Sequence, residues 1–111
     1  MQKKITMQLI SPIDLKNAQE STGEYLILDV REEYETQICS IPAMHIPMAE
    51  IESRKSEIPT DKKLVVMCRT GKRAEAVANY MECELGFSNL YILEGGIIGW
   101  IEAIDPHLEA Y

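Results

Sequence analysis

Leu64-Val65-Val66-Met67-Cys68-Arg69-Thr70-Gly71-Lys72-Arg73-Ala74-Glu75-Ala76-Val77-Ala78-Asn79-Tyr80-Met81 is the stretch that decides the architecture. Its first four residues are a continuous apolar run, the pattern of a strand covered on both faces. From Ala74 onward the period changes. Ala74, Val77, Ala78, Met81 and Leu85 recur at helical spacing, while Glu75, Asn79 and Glu82 fall on the opposite face. A buried strand followed within a few residues by a helix is half of a strand–helix–strand unit, and such units build parallel sheets. Gly86 stands where a helix end takes a left-handed residue.

The same alternation extends both ways from this stretch. Upstream, Ile5 to Leu9 places an apolar residue at every second position, as in a strand with one covered face. Ser11-Pro12-Ile13-Asp14 is a helix start, with serine as cap and proline in the first turn. Tyr25 to Leu28 is a second buried strand, ending in Asp29-Val30-Arg31 and a short acidic helix around Glu32-Glu33-Tyr34-Glu35. Two prolines between Ile41 and Pro47 leave room for only a brief strand around Met44 to Ile46, and Ala49 to Glu57 has helical character. Downstream, Leu90 to Leu93 is the last strand, and Gly95-Gly96 turns into a closing segment around Trp100. The expected fold is α/β, a mostly parallel sheet with helices on both faces, as one domain over residues 1–111.

Composition narrows the function. A formal net charge of −7 argues against a nucleic-acid partner, because phosphate backbones reward a basic face. No apolar run is long enough for a membrane span or a secretory signal, so a cytoplasmic setting is expected. Three cysteines, an odd number, do not suit a disulfide framework in a reducing compartment. No Cys-x-x-Cys or histidine pair supplies metal-ligand spacing, and no cofactor is called for.

Cys68 lies directly after the strand Leu64–Met67 and before the helix that starts near Arg73, where open parallel sheets gather functional groups. The N–H groups of a tight strand-to-helix loop can converge into an anion-binding nest, and the helix start adds partial positive charge. Arg69, Lys72 and Arg73 concentrate three cations in five residues of an acidic chain. These effects favour a thiolate over a thiol and would hold an anionic persulfide equally well. Gly71 lets the loop bend and lets backbone approach the sulfur. Cysteine phosphatases and some arsenate reductases use a loop of cysteine, five residues and arginine. Here four residues separate Cys68 from Arg73, a tighter cradle better matched to one sulfur than to a tetrahedral oxyanion.

Asp29-Val30-Arg31-Glu32, Glu35, Ile46-Pro47-Met48, the loop Cys68 to Arg73, and Leu93-Glu94-Gly95-Gly96 with Trp100 together resemble a rhodanese domain over nearly the whole chain. The ending from Gly95 through Asp105-Pro106 is similar to rhodanese domains fused behind the adenylyltransferases that activate ubiquitin-like sulfur carriers, as in molybdopterin biosynthesis. The resemblance implies a rhodanese-like fold, a central parallel five-stranded sheet with helices on both faces. It also implies a sulfurtransferase in which Cys68 is the nucleophile. Arg69, Thr70, Gly71, Lys72 and Arg73 would cradle the persulfide and attract anionic donors. The implied donors are thiosulfate or a persulfidated cysteine desulfurase, and the acceptors cyanide, a thiol or a sulfur-carrier protein, with an adenylyltransferase as a further partner. The chain departs from the family at Ser40-Ile41-Pro42-Ala43-Met44-His45, where a glycine is missing and the histidine is displaced.

Other residues carry lesser expectations. Asp29 and Arg31 end a buried strand on the same sheet edge as Cys68 and are expected to brace its loop. Cys83 borders an apolar helix face and is expected in the core, as are Phe87 and Trp100. Cys39 has no assigned role, His45 is expected to serve packing or surface, and the acidic run to Glu35 is expected to face solvent. The alternative to an enzyme is a non-catalytic module whose loop binds an anion or a partner.

Overall fold

A computed structural model describes residues 8–110. Five short strands form one sheet: β1 (Gln8–Ile10), β2 (Tyr25–Asp29), β3 (Met44–His45), β4 (Lys63–Met67) and β5 (Leu90–Leu93). Their order is β1-β5-β4-β2-β3, and every neighbouring pair is parallel. The fold is α/β, with its apolar strands β2 and β4 in the interior of the sheet, where both faces need cover. The expected strand from Ile5 is described only from Gln8 onward. Its Ile5 to Met7 portion lies outside the described residues.

Alternation of side chains splits the core into two layers. Leu28, Leu64, Val66 and Ile92 pack against Ala74, Val77, Ala78 and Met81 of α3 (Lys72–Leu85). Ile27, Val65, Met67 and Leu93 face the other way. They meet Leu15 of α1 (Pro12–Ser21) and Ile97, Trp100 and Ile101 of α4 (Gly96–Ala103). The apolar stripe read from the sequence of α3 is therefore the buried one. Phe87 and Trp100 are core residues, and the indole N–H of Trp100 donates to Asp105 at 2.8 Å, tying the chain beyond α4 to its helix.

The termini of the helices follow the local chemistry. The Ser11 hydroxyl accepts from the Asp14 N–H at 3.1 Å, with Pro12 in the first turn of α1. Gly86 closes α3 at φ +78°. The short helix α2 (Glu33–Ile38) opens with a reciprocal capping box between Glu32 and Glu35. One expectation fails in detail. In place of a helix over Ala49 to Glu57 there are two single 3-10 turns, Met48–Glu50 and Lys55–Glu57. Helical spacing in so short a stretch cannot distinguish a helix from two turns, and Ile51 alone between them is buried. Cys83 is also not in the core. It is exposed on α3, its thiol donating to Asn79 Oδ1 at 3.3 Å.

None of the helices among the described residues is long and apolar enough to cross a membrane.

Candidate active site

Parallel strands bring their carboxyl ends to one edge. Asp29 of β2 and Met67 of β4 are register partners there, and His45 of β3 pairs with Asp29. Cys68 follows Met67 and is 1% exposed. Its Sγ receives the N–H of Gly71 at 3.0 Å and the N–H of Ala74 at 3.3 Å. Two backbone donors thus converge on one sulfur at the start of a helix of 14 residues, where first-turn N–H groups have no intrahelical acceptor. Such donors stabilise negative charge on sulfur more than a neutral thiol.

Gly71 makes this convergence possible. Its φ of +113° turns the chain from the loop into α3, a conformation L side chains rarely adopt. From behind, the N–H groups of Ile97 and Ile98 in α4 donate to the carbonyls of Cys68 and Arg69, at 2.9 and 3.2 Å. The approach is tight. A Cβ on Gly96 would lie 2.4 Å from the Arg69 carbonyl oxygen and 2.6 Å from that of Cys68. With its first two carbonyls held by α4, the loop leaves its later N–H groups for the sulfur. Arg69, Thr70 and Lys72 are exposed around it.

Arg73 is placed differently from the other two cations. Its guanidinium makes a two-pronged ion pair with Glu35 of α2, at 2.7 and 2.8 Å. Its charge also lies within electrostatic reach of Cys68 and Tyr34, and the hydrogen bonds to Glu35 raise its pKa despite partial burial. Arg73 is thus a strut between the loop and α2 as well as a positive charge near sulfur. Glu35 is the residue the sequence argument missed. The acidic run was expected to face water, and Glu32, Glu33 and Tyr34 do, but Glu35 is 2% exposed. The available signal was its three-residue spacing from Glu32, which marks a capping box.

Asp29 closes β2 and Arg31 lies two residues further on, both side chains buried. They bind each other, with Arg31 Nη2 2.8 Å from Asp29 Oδ2 and Nε 3.0 Å from Oδ1. Arg31 is fully buried, and its remaining donors reach the carbonyls of Glu35 at 3.3 Å and Cys39 at 3.0 Å. Burial pulls the Arg31 pKa down, but the bond and charge of Asp29 outweigh it, so the net shift is upward. One chain of bonds runs from this pair toward the loop: Arg31 holds α2, and Glu35 of α2 holds Arg73. Cys39, buried beside Arg31, is part of the same anchor. The His45 Nε2–H donates to the Arg31 carbonyl at 2.7 Å, which gives the displaced histidine a place at the strand end.

The Glu35–Arg73 pair yields a prediction with a sign. The hydrogen bonds from Arg73 hold the Glu35 carboxyl below the usual carboxylate range, against the opposing effect of burial, with the Glu32 N–H assisting. A lowered folded-state pKa means that ionised Glu35 stabilises the fold above the ordinary carboxylate range. That contribution is lost as pH falls through the lowered value. Glu35→Gln should cost about 2 kcal/mol at neutral pH, modest for a buried pair because Arg73 keeps 34% of its side-chain surface in water. Urea unfolding at neutral pH and at about pH 3 checks it. The gap between wild type and variant should close in acid, and an unchanged gap would contradict the assignment.

Residues 11–103 match the family described as rhodanese-like domains. A sulfurtransferase of Allochromatium vinosum is 38% identical over 80 residues, covering 71% of this chain and 74% of that protein. The adenylyltransferase and sulfurtransferase MOCS3 of Arabidopsis thaliana is 25% identical over 119 residues, covering 92% of this chain but 25% of MOCS3. Among solved structures, a rhodanese-related protein from Thermoplasma volcanium superposes with a TM-score of 0.76 at 34% identity, covering 86% of this chain and 91% of that one. Sheet order, cysteine loop and these likenesses agree, and the chain belongs to the family of rhodanese-like domains.

Proposed function

We propose that this rhodanese-type sulfurtransferase carries sulfane sulfur as a persulfide on Cys68, within a single unit spanning residues 1–111. The observation that carries the proposal is the convergence of the Gly71 and Ala74 N–H groups on Cys68 Sγ at the head of α3. In the loading step the Cys68 thiolate attacks the outer sulfur of a donor such as thiosulfate. A new S–S bond forms, the donor's S–S bond breaks, and sulfite leaves with the electron pair. In the unloading step an acceptor nucleophile attacks the outer sulfur, and Cys68 leaves as a thiolate with the pair of the broken bond. No outside oxidant or reductant enters either step.

The residues divide this work. Cys68 is the nucleophile, and the backbone from Arg69 to Arg73 surrounds the site where negative charge passes from Sγ to the outer sulfur on loading and back to Sγ on unloading. Arg69 and Lys72, both exposed, bring positive potential to an anionic donor in an otherwise acidic protein. Arg73 adds charge and holds the loop to α2, while Asp29 and Arg31 anchor α2 to the strand end. The cellular donor fits a persulfidated cysteine desulfurase as well as thiosulfate. The acceptor fits a small thiol or a ubiquitin-like sulfur carrier served by an adenylyltransferase, as the likeness to part of MOCS3 suggests for molybdopterin-type pathways. A reducing cytoplasm suits an unpaired, oxidisable Cys68.

The test is intact mass after thiosulfate treatment, read before and after a thiol reductant. A gain of one sulfur that the reductant removes is expected. If neither thiosulfate nor a desulfurase donor gives that gain with folded protein, the proposal fails.

A further inference from the structure

Resting on the sulfur-transfer proposal, a second feature of the same face points to the kind of acceptor. Arg73, Val77, Tyr80 and Glu84 fall at i, i+4, i+7 and i+11 on α3, so they form one stripe that starts at the cysteine loop. Beside this stripe, Met48, Ile51, Ala76, Val77 and Tyr80 line a groove of about 210 Å³. Met48 sits at the catalytic edge, because its N–H donates to the Val30 carbonyl just beyond β2. Met48 is 42% exposed and Tyr80 37% exposed, so two large apolar side chains remain in water on either side of the groove.

Charge changes sign along this path. At the loop end stand the cations Arg69 and Lys72. At the far end stand Glu52, next to Ile51 of the groove wall, and Glu84, one turn beyond Tyr80 on α3, both close enough for their charges to act on Tyr80. Among the described residues neither Glu52 nor Glu84 is part of an ion pair. A second copy of this chain is a poor occupant, because the net charge of −7 would bring like-charged rims together. The complementary occupant is apolar in the middle and basic at the end away from Cys68.

Length sets the spacing of an extended occupant. Tyr80 lies eight residues beyond Lys72, or ~12 Å along the helix axis, and Glu84 ~18 Å. An extended chain at ~3.3 Å per residue covers these distances in about four and about six residues. We propose that the groove docks a protein acceptor of the Cys68 sulfur as an extended segment. One apolar side chain lies between Met48 and Tyr80, about four residues from the acceptor atom, and a basic side chain about two residues further reaches Glu52 and Glu84. Transfer itself is unchanged: the acceptor thiolate attacks the outer sulfur of the persulfide, and Cys68 leaves as a thiolate with the pair of the S–S bond.

The probe is a synthetic heptapeptide with cysteine at one end, leucine four residues away and arginine six residues away, made in both chain directions. Its control carries serine for leucine and glutamate for arginine. With sulfur-loaded wild type, the KM for the better of the two leucine–arginine peptides should be at least tenfold below that of its control. Glu52→Lys combined with Glu84→Lys should remove or invert the preference, and Tyr80→Ala should weaken it. Transfer to cyanide, which is too small to span the groove, is measured alongside to verify loading. Equal use of all peptides with normal cyanide turnover would overturn the groove and leave sulfur transfer standing. A labelled peptide ending in serine instead of cysteine reads binding alone by fluorescence anisotropy. Tighter binding of its leucine–arginine form, lost in the doubly substituted protein, supports the groove even if no acceptor takes sulfur. Equal binding of both forms overturns it.

Discussion

Cys68→Ser should abolish sulfur loading while leaving the fold and its stability nearly unchanged. The side chain is 1% exposed and sits among backbone donors rather than apolar neighbours alone. A serine hydroxyl can accept from the Gly71 and Ala74 N–H groups, so the loop keeps its internal partners. The alkoxide that nucleophilic attack would require is inaccessible near neutral pH, and oxygen does not form the S–S link that stores the sulfur. The expected result is therefore a folded protein with no reductant-labile mass gain and transfer at the uncatalysed background. Circular dichroism and a melting curve would establish the fold, and intact mass and cyanide turnover the loss. Residual transfer above a few per cent would move the nucleophile elsewhere, to Cys39 or Cys83.

Gly96→Ala should be nearly as damaging by a different route. The substitution adds one methyl group in a region that favours glycine twice over. The backbone φ is +62°, and the new Cβ would meet the Arg69 carbonyl oxygen at 2.4 Å. Neither contact can be relieved by a rotating side chain, since both clashing groups are backbone. Either α4 retreats and loses its bonds to Cys68 and Arg69, or the loop shifts and the N–H groups leave the sulfur. Overpacking and left-handed strain together give a cost of about 3–4 kcal/mol, which for a domain of this size lowers the melting temperature by ~10 °C or more. The fraction that stays folded should load sulfur more slowly than wild type. Wild-type loading with a depressed melting temperature would separate a purely structural glycine from one that shapes the loop.

How much of this was legible in the sequence depends on range. The run Leu64 to Met67, the helical period from Ala74 and the glycine at position 86 each report local structure, and each is found where the spacing put it. The placement of Cys68 and its loop between β4 and α3 was legible for the same reason, because the loop is contiguous. What the sequence did not disclose are contacts between distant segments. Glu35 and Arg73 are 38 residues apart, and the spacing from Glu32 that marks Glu35 as a capping residue does not name its distant guanidinium partner. The pairing of Asp29 with Arg31 is short in range and was missed for another reason, since both side chains were assigned to the loop nearest in the sheet. Cys83 was misplaced because it lies on the border of the apolar stripe, where a rotation of α3 by one residue decides between core and solvent.

The bonds from Ile97 and Ile98 to the loop have a consequence for the order in which the protein is made. Residues 68 and 69 leave the ribosome well before residues 97 and 98, and β1 finds its neighbour only when Leu90 to Leu93 have been synthesised. The pair β2 and β4 can meet earlier, but the carbonyls behind Cys68 remain without their donors until residues 97 and 98 have followed. During synthesis the thiol therefore sits on a loop still without its backing from α4. That backing arrives in the same closing step that adds β5 and β1 to the sheet.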